Sequence, residues 1–209
     1  MNQTRTVTPG FAKGLMALLV ALVVAFATAP APASAKAKLD LQSRNVTSSM
    51  PVFRKDFKRP NDRGQVFFIQ RSPNANTVVY AGKMASADAL ATKGTISAYW
   101  RRYNTSGEAK ALSGLERRMA YGANAKSNGD GTYRVTFKAL PAMVATLKVV
   151  DGRPALFTRM GDSDARLIYA YLDVDDGGLF PRVTGLKLVG KSASGKYVTE
   201  TYRVTGGEL

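Results

Sequence analysis

The sequence predicts a mainly β fold, an antiparallel β-barrel or β-sandwich of about nine strands with one short helix. Three observations carry this. Apolar, β-prone runs of four to nine residues recur between Val66 and Val204. Short groups rich in Gly, Asn, Asp and Pro separate them and set turns. No alternation of strand with helix is visible, so a doubly wound sheet is not expected. Of the two architectures the barrel is favoured, because many short strands with mixed faces leave edges that closure would remove.

Two segments precede the β-domain, which is expected over residues 64–209. Residues 1–35 read as a signal peptide. Arg5 and Lys13 make a basic start, Leu15–Ala27 is an unbroken apolar run of thirteen residues, and Ala33-Ser34-Ala35 is a small-x-small cleavage site. The run is short for a bilayer span. The chain is therefore expected to be exported, periplasmic or secreted, and not transmembrane after cleavage. Residues 36–63 hold eight basic and three acidic residues, broken by Pro51 and Pro60. They read as a basic flexible arm that can close onto the domain through Phe53 and Phe57.

The first strands, Val66–Ile69 and Thr77–Tyr80, flank the turn-forming group Ser72–Asn76 and form a hairpin. Thr95–Tyr103 follows as a strand with Trp100 and Arg102 on one face, and Tyr99, Arg101 and Tyr103 on the other. Aromatics on both faces imply a strand between two layers, or one that lines a site. Ser113-Gly114-Leu115-Glu116 is a capping box. The helix it opens should end at Gly122 in a left-handed cap, with Leu115 and Met119 sharing a face. Six more strands are expected at Thr132–Ala139, Met143–Val150, Ala155–Met160, Arg166–Val174, Val183–Val189 and Tyr197–Val204. Asp151-Gly152-Arg153-Pro154 is among the turns between them.

Absences narrow the chemistry. The chain has no His and no Cys, which removes Ser-His-Asp and Cys-His triads, ordinary zinc sites and disulfides. No nucleotide-binding glycine loop is present. Asp173-Val174-Asp175-Asp176-Gly177-Gly178 lacks two requirements of a calcium loop, with Gly177 and Thr184 where oxygen ligands are needed. No catalytic residue, metal ligand or cofactor is assigned. Beyond the leader, 28 Lys and Arg against 15 Asp and Glu leave a charge of +13. Outside the cytoplasm that charge fits anionic lipid, lipopolysaccharide or another envelope protein as partner, and not nucleic acid.

Four blocks also carry a resemblance. Phe67–Tyr80 (FFIQRSPNANTVVY), Ala98–Tyr103 (AYWRRY), Leu115–Gly122 (LERRMAYG) and Lys138–Ala142 (KALPA) resemble, in that order, the family known as domain of unknown function 4833. The resemblance runs from about Gly64 to the C-terminus. It implies a domain and no reaction.

The candidate ligand-binding residues are Arg71, Asn74, Asn76, Tyr99, Trp100, Arg101 and Tyr121. Arginine offers a bidentate fork to carboxylate or phosphate, and an aromatic wall excludes water and strengthens that bond. Tyr80 and Arg102 belong to the same aromatic and cationic group. The best reading is an exported, non-enzymatic β-domain that binds an anionic or amphipathic cell-envelope component. The alternatives are an envelope hydrolase using carboxylates such as Glu116 or Asp173, and a structural or assembly factor that binds another envelope protein.

Overall fold

The computed structural model describes residues 38–47, 57–71, 75–138, 140–175, 177 and 182–208. Residues 1–35, Phe53 and Asn74 lie outside the described residues. The elements in chain order are β1 (Lys38–Thr47), β2 (Gln65–Arg71), β3 (Thr77–Gly82), β4 (Ile96–Arg101), β5 (Ala109–Ala111), α1 (Gly114–Met119), β6 (Ala123–Ser127) and β7 (Tyr133–Phe137). They continue with β8 (Val144–Val150), β9 (Arg153–Met160), β10 (Ser163–Asp175), β11 (Arg182–Ser192) and β12 (Tyr197–Glu208). The fold is mainly β, as its alternating patterns predict.

The strand count is twelve among the described residues, not nine. The additional strands are β1, β5 and β6. β5 and β6 end the order β5-β4-β3-β2-β10-β9-β8-β7-β6, and β1 lies beyond β12. β5 reads Ala-Lys-Ala and is wholly exposed, and β6 reads Ala-Asn-Ala-Lys-Ser. Edge strands need no apolar face and gain from polar ones, so alternation does not reveal them. Lys38–Thr47, within the basic stretch read as an arm, pairs antiparallel with β12. Phe57, further along that stretch, is buried with its ring 6.3 Å from Tyr171.

Neither does the sheet close into a barrel, since no ladder joins β5 to β6 among the described residues. β10 is its spine. Along one edge β10 pairs antiparallel with β11, which continues through β12 to β1. On the opposite edge its partner changes midway. Ser163–Arg166 pair antiparallel with β9, whereas Tyr169–Leu172 pair in parallel with β2. The register against β11 slips between Leu167 and Tyr169, at the point where the partner changes. A bulge bends its strand and increases the local twist. Two wings, β2-β3-β4-β5 and β9-β8-β7-β6, therefore leave one edge of β10 in different directions.

The wings meet through their aromatic faces. Phe67 stacks on Tyr80 with centroids 4.4 Å apart, and Phe137 of the other wing meets both edge-on at 5.4 and 5.5 Å. Val66 and Phe67 both enter this core, which strict alternation forbids. A register shift between Gln65 and Phe67 permits it. Leu147, Leu156, Leu167 and Val135 complete a core with no measurable exposure at these four positions. At about 1.5–3 kcal/mol for each large apolar side chain buried, such a core can hold a domain without disulfides. A second cluster, Phe68, Val79, Tyr169 and Val189, packs on the opposite face of β2, β3, β10 and β11, with Tyr99 against it. β4 thus faces two packed layers, which explains its aromatics on both sides.

Local motifs fix two of the connections between strands. Val150 pairs with Arg153 across Asp151 and Gly152, whose φ values of 51° and 69° are those of a two-residue type I′ hairpin turn. The capping box at α1 is present: Ser113 Oγ accepts from Glu116 N at 3.2 Å, and Glu116 Oε2 accepts from Ser113 N at 2.8 Å. The left-handed cap at Gly122 is not formed. The C-cap is Ala120, and Gly122 is required for space, because a Cβ there would lie 1.8 Å from the Arg117 carbonyl oxygen.

Candidate functional site

The sequence places Trp100 and Arg102 on one face of their segment, and Tyr99 and Arg101 on the other. The folded chain gives these two faces different environments. On the first, Trp100 points into the main core and meets Tyr121 edge-on at 5.1 Å. The Arg71 guanidinium lies over the indole, 5.7 Å from its centroid. The indole N–H donates to Glu116 Oε1 at 3.1 Å. Glu116 therefore uses one carboxylate oxygen to start α1 and the other to orient Trp100. Tyr80, from the neighbouring strand, donates its hydroxyl to the Tyr121 carbonyl at 2.9 Å.

The ionisable groups here answer to one another. Burial of Glu116 opposes its charge. Hydrogen bonds from Ser113 and Trp100, with the nearby Arg102 charge, outweigh burial and hold the carboxyl below its ordinary value. Burial pushes the Tyr121 hydroxyl up, with Arg71 opposing the shift and Glu116 adding to it. Three donors in this cluster are buried without a hydrogen-bond partner among the described residues: Arg71 Nε, Arg102 Nε and the Tyr121 hydroxyl. A buried polar group left unpaired costs about 1–3 kcal/mol. Two are guanidinium N–H donors and the third is a phenol hydroxyl that can donate, so one kind of group, a carboxylate or phosphate oxygen, could accept from all three.

On the opposite face the cation is already satisfied. Asp62 accepts from Tyr99 Oη at 2.8 Å and from Arg101 Nε at 2.9 Å, and pairs closely with the second Arg101 nitrogen as well. Arg101 also donates to the Gly107 carbonyl at 3.0 Å. The Arg101 hydrogen bonds outweigh burial and hold the Asp62 carboxyl low, while burial and the Asp62 contact push the Tyr99 hydroxyl up. Asn76 Oδ1 accepts from Asn104 N at 3.2 Å.

The seven candidate residues accordingly separate. Arg71, Trp100 and Tyr121 come together, and Tyr99 and Arg101 form the ion-pair site with Asp62. Asn76 braces the loop at Asn104, and Asn74 lies outside the described residues. Arg102 and Glu116 join the first group, and Asp62 completes the second. Arg102 carries a legible signal, the i, i+2 spacing from Trp100. Asp62 carries none, since it lies 39 residues before Arg101. Of the two carboxylates considered for hydrolysis, Glu116 is engaged by Ser113 and Trp100, and Asp173 is exposed on β10.

No curated protein and no solved structure matches the chain. The model of one family, described as a domain of unknown function (DUF4833), matches residues 67–201. That span runs from within β2 to the first five residues of β12 and includes every residue of the Trp100 cluster, and the chain belongs to this family.

Proposed function

We propose that the protein is an exported, non-enzymatic β-domain that binds an anionic or amphipathic component of the cell envelope at the Trp100 cluster. The observation that carries this reading is a set of three buried polar groups without partners among the described residues: Arg71 over the Trp100 indole, Tyr121 edge-on to it, and Arg102 beside the Glu116 that the indole bonds. Two guanidiniums and a phenol hydroxyl match the oxygens of a phosphate or carboxylate head. The aromatic walls lower the local dielectric and strengthen each bond.

The amphipathic part of the reading rests on α1. Its outer residues Leu115 and Met119 are 64% and 48% exposed, and Arg117 and Arg118 lie beside them in the last turn. Apolar side chains flanked by arginines suit the boundary between acyl chains and anionic headgroups. Glu116 ties this helix directly to the floor of the cluster. The charge of +13 and the leader segment agree with an anionic partner met outside the cytoplasm.

The test is co-sedimentation of the purified protein with vesicles of phosphatidylglycerol, with lipopolysaccharide, and with phosphatidylcholine as the neutral control. The Arg71→Ala, Arg102→Ala double variant is expected to lose about ten-fold in retention on the anionic partners, the scale of one charge-assisted hydrogen bond. Arg101→Ala should lose far less. Unchanged retention by a correctly folded double variant would overturn the assignment.

A further inference from the structure

A groove of about 1040 Å³ opens where the two wings diverge, and it shares no lining residue with the Trp100 cluster. Arg63 comes from the turn before β2, Arg153 from the first position of β9, and Arg166 from β10. None of these three cations has an ion pair among the described residues. The carboxylate on the groove wall, Asp62, is neutralised by Arg101 and hydrogen-bonded to Tyr99. Three guanidiniums therefore stand around the groove without compensation from its own wall.

Gly64, Gly82 and Gly152 are among its lining residues. A Cβ at Gly82 would lie 2.6 Å from the Pro154 Cβ, and one at Gly64 would lie 2.8 Å from the Gly82 carbonyl. These glycines allow the wings to approach and leave peptide groups where side chains would otherwise stand. Among the described residues, no aromatic lines the groove. Its size is at the upper end of the roughly 300–1000 Å³ typical of small-molecule sites. Arginine forks select oxyanions, and the polar side chains of Asn61, Gln65 and Ser86 offer hydrogen-bond partners to hydroxyl groups.

We propose that this groove is a second binding site, for a hydrophilic oligosaccharide bearing phosphate or carboxylate groups. The ligand is held by Arg63, Arg153 and Arg166, and its binding is independent of the Trp100 cluster.

The experiment is calorimetric titration of the purified protein with tetragalacturonate, with phosphorylated maltotetraose, and with unmodified maltotetraose. At least one anionic tetrasaccharide should bind about ten-fold or more tightly than maltotetraose. The one that does so identifies carboxylate or phosphate as the recognised group. Arg153→Gln with Arg166→Gln should remove about ten-fold of that affinity. Lys126→Gln with Arg134→Gln removes the same charge from a facing pair on β6 and β7 outside the groove, and should leave it unchanged. A lack of preference for both anionic ligands overturns the proposal, as does an equal loss in the β6–β7 variant, which would reduce the effect to net charge. Arg71→Ala with Arg102→Ala separates the two sites. It should leave tetrasaccharide binding intact, so failure at the Trp100 cluster would not be mistaken for failure here.

Discussion

Residues 99–102 place two arginines and two aromatics side by side in sequence, and the fold treats the two pairs oppositely. On one face Arg101 and Tyr99 converge on a single carboxylate, and every partner is accounted for by Asp62 and the Gly107 carbonyl. On the other face Trp100 has its partner in Glu116, but Arg102, with Arg71 and Tyr121 nearby, retains a buried donor that nothing satisfies among the described residues. Identical residue types thus serve different purposes one position apart. A saturated cation fixes a turn to a strand. An unsaturated one leaves a buried donor without an acceptor among the described residues, which is what the proposed binding would use.

The largest effect is expected where the second face is anchored. Gly122 lies directly after Tyr121, and a Cβ there would overlap the Arg117 carbonyl oxygen at 1.8 Å. Backbone must move, because the obstacle is backbone. Gly122→Ala is expected to cost about 3 kcal/mol or more, near the upper end for single substitutions. Urea unfolding measures it. A cost below about 1 kcal/mol would show that the α1–β6 connection yields easily, and that the Trp100 cluster is not rigidly held.

The comparison itself is tested by a pair of variants. Asp62→Ala leaves Arg101 and Tyr99 without their acceptor, and is expected to destabilise by about 1–2 kcal/mol, moderated by the partial exposure of the site. Arg102→Met removes a donor without a partner among the described residues and keeps the packing of its stem, and loses only the attraction of its charge for Glu116, so it should cost no more than about 0.5 kcal/mol. If both variants lose the same stability, Arg102 serves the fold in the way Arg101 does, and the distinction between the two faces fails.

Much of this fold is legible in the sequence, and the remainder has physical reasons for being hidden. The antiparallel β2–β3 pair, the capping box at Ser113 and the Asp151-Gly152 turn follow from local rules that need only nearby residues. The strands β1, β5 and β6 escape those rules because they are edge strands rich in polar residues and alanine, which carry no sustained apolar period. Open architecture, too, is set non-locally, by the bulge at the middle of β10 and its change of partner there. Alternation correctly places Trp100 and Arg102 together. The pairing of Arg101 with Asp62 depends on a turn brought across from the start of β2, and no spacing encodes it. Gly122 is legible as a necessary glycine, but its reason is a close backbone approach and not a left-handed cap.

The smallest effect, and the most specific to the unsaturated face, is its response to acid. The folded-state pKa of Glu116 lies below its ordinary value of 4.5, so the carboxylate contributes stability that is complete above that value and declines as pH falls through the folded pKa. Trp100 is the single tryptophan of the chain and donates to this carboxyl. Its emission should therefore shift in the same acid range as Glu116 takes up a proton and its bond to the indole weakens. Glu116→Gln keeps an oxygen acceptor for the indole but has no charge to lose, and should abolish that shift at a cost of about 1 kcal/mol in helix capping. Asp62 also has a lowered pKa and titrates on the opposite face, so Asp62→Asn should leave the emission shift in place while removing part of the acid-dependent stability loss. A shift that followed Asp62 instead of Glu116 would mean that the two faces of β4 are electrostatically one site, and that the spare donors around Trp100 are balanced from across the strand.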